Sequence, residues 1–185
     1  MKTIICIVGK TSSGKDTITR HIMEKFGLGM VCSYATRPMR EGEVNGREHY
    51  FVTKEQMKEL LKTEHVIAYT KSEKTGVEYF ATAESVLADN VIYIINPKGI
   101  AYLKEHLPED FRLLQIYVYL DEPEIERRAM LRKDDPDAFL ARINDEREEF
   151  DTYYNNKEYD YVVDNRKSKE EVFAEVDAIL EKELG

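Results

Sequence analysis

Apolar positions along the chain follow two alternating periods. Thr3 to Val8 (TIICIV) is an unbroken β-rich run, the pattern of a strand buried on both faces in a parallel sheet. Residues 16–26 then place Ile18, Ile22, Met23 and Phe26 at helical spacing, and Gly27 and Gly29 supply the stop. Further strands are predicted at Met30 to Tyr34, Val91 to Ile95 and Leu113 to Leu120, with helical stretches at Thr82 to Ala88 and Pro97 to His106. Alternating strands and helices predict an α/β fold with right-handed crossovers.

Between about Arg47 and Phe80 the alternation breaks. Two β-like stretches (Glu48 to Thr53, His65 to Thr70) bracket a short helix and a third follows at Val77 to Phe80, which predicts an inserted, smaller sheet. Glu124 to Lys133 and Pro136 to Phe150 read as two charged helices, the second with Asp135 as N-cap and Pro136 at its first position. A closing helix starts at Ser168 with Glu171 three residues on, a capping box, and turns Val172, Phe173, Val176, Ile179 and Leu180 to one face. The chain shows no repeat, low-complexity segment or linker.

Composition narrows the class. At 185 residues, 42% apolar and 34% charged, the chain suits one globular domain. Its net charge of −9 argues against nucleic-acid or anionic-membrane partners. That charge is uneven, however. Residues 1–50 carry eight Lys/Arg against five Asp/Glu, and the remainder 19 against 31, so the first quarter is a cationic island inside an acidic protein. Cys6 and Cys32 lie in apolar runs without metal-ligand spacing and are expected as buried, reduced thiols. With no apolar run of membrane-spanning length and no secretory pattern at the N-terminus, the expected location is the cytoplasm.

The cationic island has a motif in it. Gly9 and Gly14 bracket four residues and precede Lys15 in GKTSSGKDT, directly after the first strand and directly before the first helix. In that setting the string is a phosphate loop. Glycines let successive N–H groups, including those of Ser12 and Ser13, converge on an anion, the helix N-terminus adds its dipole, and Lys15 reaches the terminal phosphates. The position where a hydroxyl normally contacts Mg²⁺ holds Asp16, with Thr17 one residue later. Asp16 is therefore a candidate Mg²⁺ ligand, or simply an acidic residue in a helix's first turn.

After the second strand, SYATRPMREGEVNGREHYFVT clusters Arg37, Arg40 and Arg47 beside Gly42 and Gly46. Guanidinium forks suit phosphate oxygens, and the carboxyl ends of parallel strands are where such sheets bind ligands. Lys10, Lys15, Arg37, Arg40 and Arg47, which make up most of the cationic excess, are accordingly expected on phosphate-facing loops. Here the sequence resembles the guanylate kinase family, whose members carry Ser-x-x-Thr-Arg-x-x-Arg-x-Gly-Glu-x-x-Gly after the phosphate loop. Ser33, Thr36, Arg37, Arg40, Gly42, Glu43 and Gly46 match it. Arg128, Arg132 and Arg142, in IERRAMLRKDDPDAFLARI, fall where the family's lid places arginines on the transferring phosphates, and Asn165 falls where it has an adenine-contacting Asn.

The resemblance implies a parallel-sheet P-loop kinase core (1–34, 82–123, 156–185) with helices on both faces, an inserted nucleoside monophosphate-binding subdomain of mixed β/α structure (about 35–81) and a helical lid (about 124–155). It implies MgATP and a nucleoside monophosphate, most closely GMP, as small-molecule partners, in a monomer or homodimer. ATP would bind at Gly9, Ser12, Ser13, Gly14, Lys15, Asp16, Thr17 and Asn165. The acceptor would bind at Ser33, Arg37, Arg40, His49, Tyr50 and Tyr79. Lys15, Arg37, Arg128, Arg132 and Arg142 would neutralise the transferring phosphoryl group.

The chain also departs from the family. Its guanine-reading acidic residue falls at Ala68, its Gly-Thr after the last small strand becomes Phe80 and Ala81, and its tyrosine after the Gly46 loop becomes His49. Guanine selectivity should weaken unless Glu73 or Glu78 replaces the lost carboxylate. Two other readings stay open: a kinase for another (deoxy)nucleoside monophosphate, and a non-catalytic module of guanylate kinase shape. A regulatory GTPase would need an Asn/Thr-Lys-x-Asp guanine-reading string, which is absent.

Overall fold

The N-terminal aliphatic run forms strand β1 (Lys2–Val8), in which Ile4 through Val8 are fully buried. The computed structural model describes residues 2–185 apart from Glu41, Glu48, Glu73, Lys74 and Leu87. After β1 come α1 (Lys15–Phe26), β2 (Gly29–Met30), β3 (Tyr34–Ala35), β4 (Tyr50–Phe51), α2 (Lys54–Thr63), β5 (Val66–Lys71) and β6 (Glu78–Thr82). There follow β7 (Asn90–Ile94), α3 (Pro97–His106), β8 (Phe111–Tyr119), α4 (Glu122–Leu131), α5 (Pro136–Asn155), β9 (Tyr161–Asp164) and α6 (Lys169–Leu184). The strands sort into a five-stranded sheet, order β2-β7-β1-β8-β9, and a four-stranded sheet, order β4-β3-β6-β5. Pairs β2–β7 and β8–β9 are parallel. The smaller sheet is mixed: β3 runs parallel to β4 and antiparallel to β6, which pairs antiparallel with β5. This is the expected α/β class, with a parallel core sheet and a second mixed sheet.

Several predicted elements differ in extent. The strand expected over Met30 to Tyr34 is two short ones in different sheets, since Met30 pairs with Ile92 and Tyr34 with Phe80. The apolar pattern runs through the crossover and cannot mark it. Only Tyr50–Phe51 of the stretch Glu48 to Thr53 forms a strand, because Thr53 already caps α2 through a capping box with Gln56; Glu48 lies outside the described residues. Thr82 to Ala88 holds a single 3-10 turn at Ala83–Ser85, with Leu87 outside the described residues. On α1, Met23 is 37% exposed and Thr19 is buried in its place. Cys6 is buried as expected, whereas Cys32 is only half-buried.

By proximity of its residues the chain divides into two compact units: Met1–Ile4, Gly29–Tyr93 and Lys98–Arg112 form one, and Ile5–Leu28, Ile94–Pro97 and Leu113–Gly185 the other. In the first, Tyr34 stacks on Phe80 with ring centroids 4.7 Å apart, on one face of the mixed sheet. In the second, α6 packs on α1, where His21 stacks on Phe173 and its Nε2 lies 2.7 Å from Asp177 Oδ1. Leu120, Ile125 and Ile143 gather with Phe139 into a small apolar cluster that joins α4 to α5. Helices α4, α5 and α6 each start on a side chain, Asp121, Asp135 or Ser168, that accepts a backbone N–H of its first turn. Each such cap fixes where its helix begins.

Candidate functional site

The predicted site residues fall into two groups, one in each unit. In the second unit, β1 ends at Val8 and α1 begins at Lys15, so Gly9 to Gly14 form the connecting loop. Gly14 caps α1 in the left-handed region at φ +93°, and no side chain caps the helix there. The first-turn N–H groups of α1 thus lack the side-chain acceptor that α2, α4, α5 and α6 possess, which suits them to an external anion. Gly9 is needed for closeness rather than for φ: a Cβ there would stand 2.8 Å from the Val118 carbonyl oxygen. Ser12 is held at φ +60°, a strained conformation for a residue with a side chain. Ser13 Oγ is buried without a hydrogen-bond partner.

Around this loop the arginines of α4 and α5 converge. Arg132 Nη2 donates to Ser12 Oγ at 2.6 Å, and Arg142 Nη1 to Thr11 Oγ1 at 3.4 Å. Arg128 Nη2 donates to the Asn165 carbonyl at 2.9 Å, while its Nε is paired with Glu124 at 3.0 Å. Arg132 is the C-cap of α4, and its backbone N–H donates to the carbonyl of Arg128 one turn earlier. The Asn165 amide donates to the Ser13 carbonyl at 2.6 Å, so this residue braces the loop. Ser12, Gly14, Lys15, Asp16, Thr17, Arg128, Leu131 and Arg132 enclose a cavity of about 330 Å³. Three cations against one carboxylate give it the charge that suits a polyanion.

Lys15 Nζ donates to the Lys10 carbonyl at 3.1 Å, and burial holds its pKa below the usual lysine range. A desolvated ammonium gains most from a partner charge, so an incoming phosphate is what this position lacks.

Lys10, expected to face phosphate, does not. It is buried, with Nζ 2.7 Å from Asp151 and 3.2 Å from Glu122. Two carboxylates from later in the chain hold it, a pairing invisible to spacing along the sequence. Glu146 is the site residue that motif reasoning missed. From α5 its Oε2 accepts the backbone N–H of Thr11 at 2.7 Å, and burial raises its pKa despite that bond and the nearby Lys15 and Arg142 charges. It ties α5 to the leading turn of the loop between β1 and α1. Its only sequence signal is a Glu four residues after Arg142, which puts both on one helix face.

In the first unit, the mixed sheet gathers a second group. Arg37 meets Glu43 in a two-pronged pair, Nη1 to Oε2 at 2.7 Å and Nη2 to Oε1 at 2.6 Å, and its Nε donates to Tyr79 Oη at 3.2 Å. Arg37, with help from the Arg40 backbone N–H, holds the Glu43 carboxyl down to about 2. Because a guanidinium only donates, Tyr79 Oη is the acceptor in that bond and keeps its own proton to give elsewhere. The Arg37 guanidinium also lies over the Phe51 ring, 5.1 Å from its centroid. His49 lies 5.4 Å from Tyr79 between ring centroids, and its Nδ1 shares a 2.9 Å hydrogen bond with Ser33 Oγ.

Not every expected residue joins this group. Tyr50 sits beside Tyr34, centroids 5.3 Å apart, on the face where Tyr34 stacks on Phe80, away from Arg37 and Tyr79. Adjacent strand residues alternate faces, so of His49 and Tyr50 only the first meets Tyr79. Arg40 is exposed and contributes its backbone N–H to Glu43. Arg47, expected to face phosphate, instead donates to the Gly42 carbonyl at 2.8 Å and closes its own loop. Glu78 does not replace a base-reading carboxylate, since it alternates with Tyr79 on β6 and accepts the Tyr69 hydroxyl at 2.5 Å. Glu73 lies outside the described residues.

Comparison with known proteins adds an independent line. The family model for guanylate kinase matches residues 1–183. Guanylate kinase of Nitrobacter hamburgensis is 31% identical over 182 residues, covering 94% of this chain and 79% of that one. Guanylate kinase of Streptococcus pyogenes serotype M3 is 30% identical over 176 residues, covering 88% and 77%. Among solved structures, guanylate kinase from Anaplasma phagocytophilum superposes with a TM-score of 0.63 at 20% identity, over 96% of this chain and 82% of that one. With the match running from the phosphate loop to the last helix, the chain belongs to the guanylate kinase family.

Proposed function

We propose that this chain transfers the γ-phosphoryl group of ATP to a nucleoside monophosphate, with GMP as the acceptor, giving ADP and GDP. The observation that carries the reading is the cavity in which desolvated Lys15 stands with Arg128 and Arg132 around the phosphate loop. Phosphoryl transfer asks little covalent chemistry of a protein; it asks for alignment and for neutralisation of charge spread over the transferring group. Lys15, Arg128, Arg132 and Arg142 provide the neutralisation at the donor end. Residues 124–155 supply three of these four, which supports their role as the lid.

At the acceptor end, Glu43 and Tyr79 hold the Arg37 guanidinium in one orientation before substrate arrives. Preorganised charge costs no reorganisation at the moment of reaction. The Tyr79 hydroxyl proton, freed by the direction of its bond with Arg37, is available to a phosphate oxygen. An acceptor phosphate is already anionic, so no general base is required. Tyr50, on the far face, is left out of the acceptor set.

The donor set fits a hard divalent cation that arrives with the nucleotide. Asp16 and Thr17 are exposed and both line the cavity, and among the described residues no cluster of three metal-binding side chains forms a protein cage. Asp16 would hold Mg²⁺, which when bound screens the phosphate charge. Among the described residues no helix is long and apolar enough to cross a membrane.

A coupled ADP-release assay with MgATP and GMP tests the proposal. Lys15→Ala and Arg37→Ala should each reduce turnover by at least about 100-fold, the usual cost of removing a charge-stabilising donor, with unchanged far-UV circular dichroism. Unchanged turnover in either folded variant would overturn the assignment.

A further inference from the structure

Among the described residues, three other than glycine sit in the left-handed region: Ser12 at φ +60°, Lys133 at +61° and Lys157 at +54°. Two of these end helices. Past α4, the Lys133 N–H bonds the Met130 carbonyl and the Asp134 N–H the Ala129 carbonyl; past α5, the Lys157 and Glu158 N–H groups bond the Tyr154 and Tyr153 carbonyls in the same way. That paired closure requires a left-handed residue at its turn. Ser12 ends no helix, since it lies between β1 and α1.

The backbone at residue 12 does not by itself call for serine. Glycine reaches the left-handed region without steric cost, whereas a residue with a Cβ is strained there. What serine adds is a hydroxyl. Ser12 Oγ accepts from Arg132 Nη2 at 2.6 Å, and the same nitrogen donates to Asp134 Oδ2 at 2.5 Å. With 52% of its side chain exposed, Arg132 is not fixed by burial, so these two bonds set where its guanidinium stands. Asp134 belongs to the helix-ending turn of α4, which leaves Ser12 as the partner that ties Arg132 to the loop. A guanidinium carries five N–H donors, and those of Nη1 and Nε remain for a phosphate.

Fixing a long side chain before its ligand arrives removes an ordering cost from binding. Ser12 and Arg132 line the same cavity of about 330 Å³, beside Lys15. Resting on the reading of that cavity as the ATP phosphate site, we propose that the Ser12 hydroxyl is a positioning group that holds the Arg132 guanidinium over the loop, so that the phosphates of the nucleotide meet a charge already in place. Backbone strain at residue 12 is the local cost of that placement. The hydroxyl acts on the nucleotide only through Arg132.

A double-mutant cycle tests this, read as calorimetric affinity for MgATP without acceptor. Ser12→Gly and Ser12→Ala both delete the hydroxyl; the first relieves the strain and the second keeps it. Each should bind MgATP about three- to tenfold more weakly than the parent, the ordering cost of one long side chain. In an Arg132→Ala background the same substitutions should change affinity by less than about twofold, the ordinary scatter of independent effects. Circular dichroism checks folding, and Ser12→Gly meets no steric obstacle to it. An equal loss in both backgrounds would mean that residue 12 acts through the conformation of the loop and would overturn the proposal, as would parental affinity in Ser12→Gly. A parent chain that binds MgATP but turns over no nucleoside monophosphate sinks phosphoryl transfer and leaves the cycle to decide the role of Ser12; one that binds no MgATP overturns both.

Discussion

Gly14→Ala probes the tightest approach in the phosphate loop. A Cβ on Gly14 would stand 2.2 Å from Asn165 Nδ2 and 3.2 Å from Arg128 Nη1, at a backbone φ of +93°. Asn165 must then swing away and give up its 2.6 Å bond to the Ser13 carbonyl. Gly27 is the matched control: it caps the other end of α1 at φ +65°, and a Cβ there meets nothing within 4 Å. An L-residue in the left-handed region costs about 1–2 kcal/mol, and both substitutions incur it. Only Gly14→Ala adds local overpacking, about 1 kcal/mol because the displaced group is a side chain, and a lost hydrogen bond of about 1 kcal/mol. The expected losses are thus about 3–4 kcal/mol for Gly14→Ala against about 1–2 for Gly27→Ala. Urea unfolding followed by far-UV circular dichroism measures both, since the chain has no Trp to report by fluorescence. The apparent KM for ATP should rise in Gly14→Ala and stay unchanged in Gly27→Ala. Equal destabilisation by the two substitutions would refute the Asn165 contact as the source of the difference.

Two more predictions concern titratable groups at the same loop. Burial raises the Glu146 pKa, so the folded chain holds that proton more tightly than the unfolded one does; its contribution to stability therefore falls as pH rises from the ordinary carboxylate value of about 4.3 through the raised one. Glu146→Gln keeps an acceptor for the Thr11 N–H and removes this pH dependence, so its urea stability should gain on the parent's as pH rises; a difference that is flat with pH would contradict the burial argument. Asp16→Ala should raise the Mg²⁺ concentration needed for half-maximal turnover, and an unchanged Mg²⁺ titration would leave Asp16 as a first-turn acid without a metal role.

Features encoded within a few consecutive residues are legible in the sequence. A phosphate loop is one: Gly9 to Lys15 spell it because the cradle is built from their own backbone between one strand and the next helix. The starts of α5 and α6 are equally readable, since Asp135 and Ser168 bond to N–H groups only three residues away. Strand length is less legible. Met30 to Tyr34 has a single apolar pattern, yet its ends hydrogen-bond to different sheets, and hydrophobicity records burial without naming the neighbour.

Taken alone, the sequence determined the α/β class, the glycine-bracketed loop between the first strand and the first helix, and the arginines proposed to accompany it, because each rests on local backbone geometry or on residue type. Tertiary structure decided which of those charges are already spoken for. Lys10 is held by Glu122 and Asp151, Arg37 is pinned by Glu43, and Glu146 reaches the Thr11 N–H from 135 residues away. It also decided which face each strand residue presents, placing His49 with Tyr79 and turning Tyr50 and Glu78 away. Pairing energy depends on distance in space, and a one-residue step along a strand reverses the face, so neither could be read from spacing along the chain.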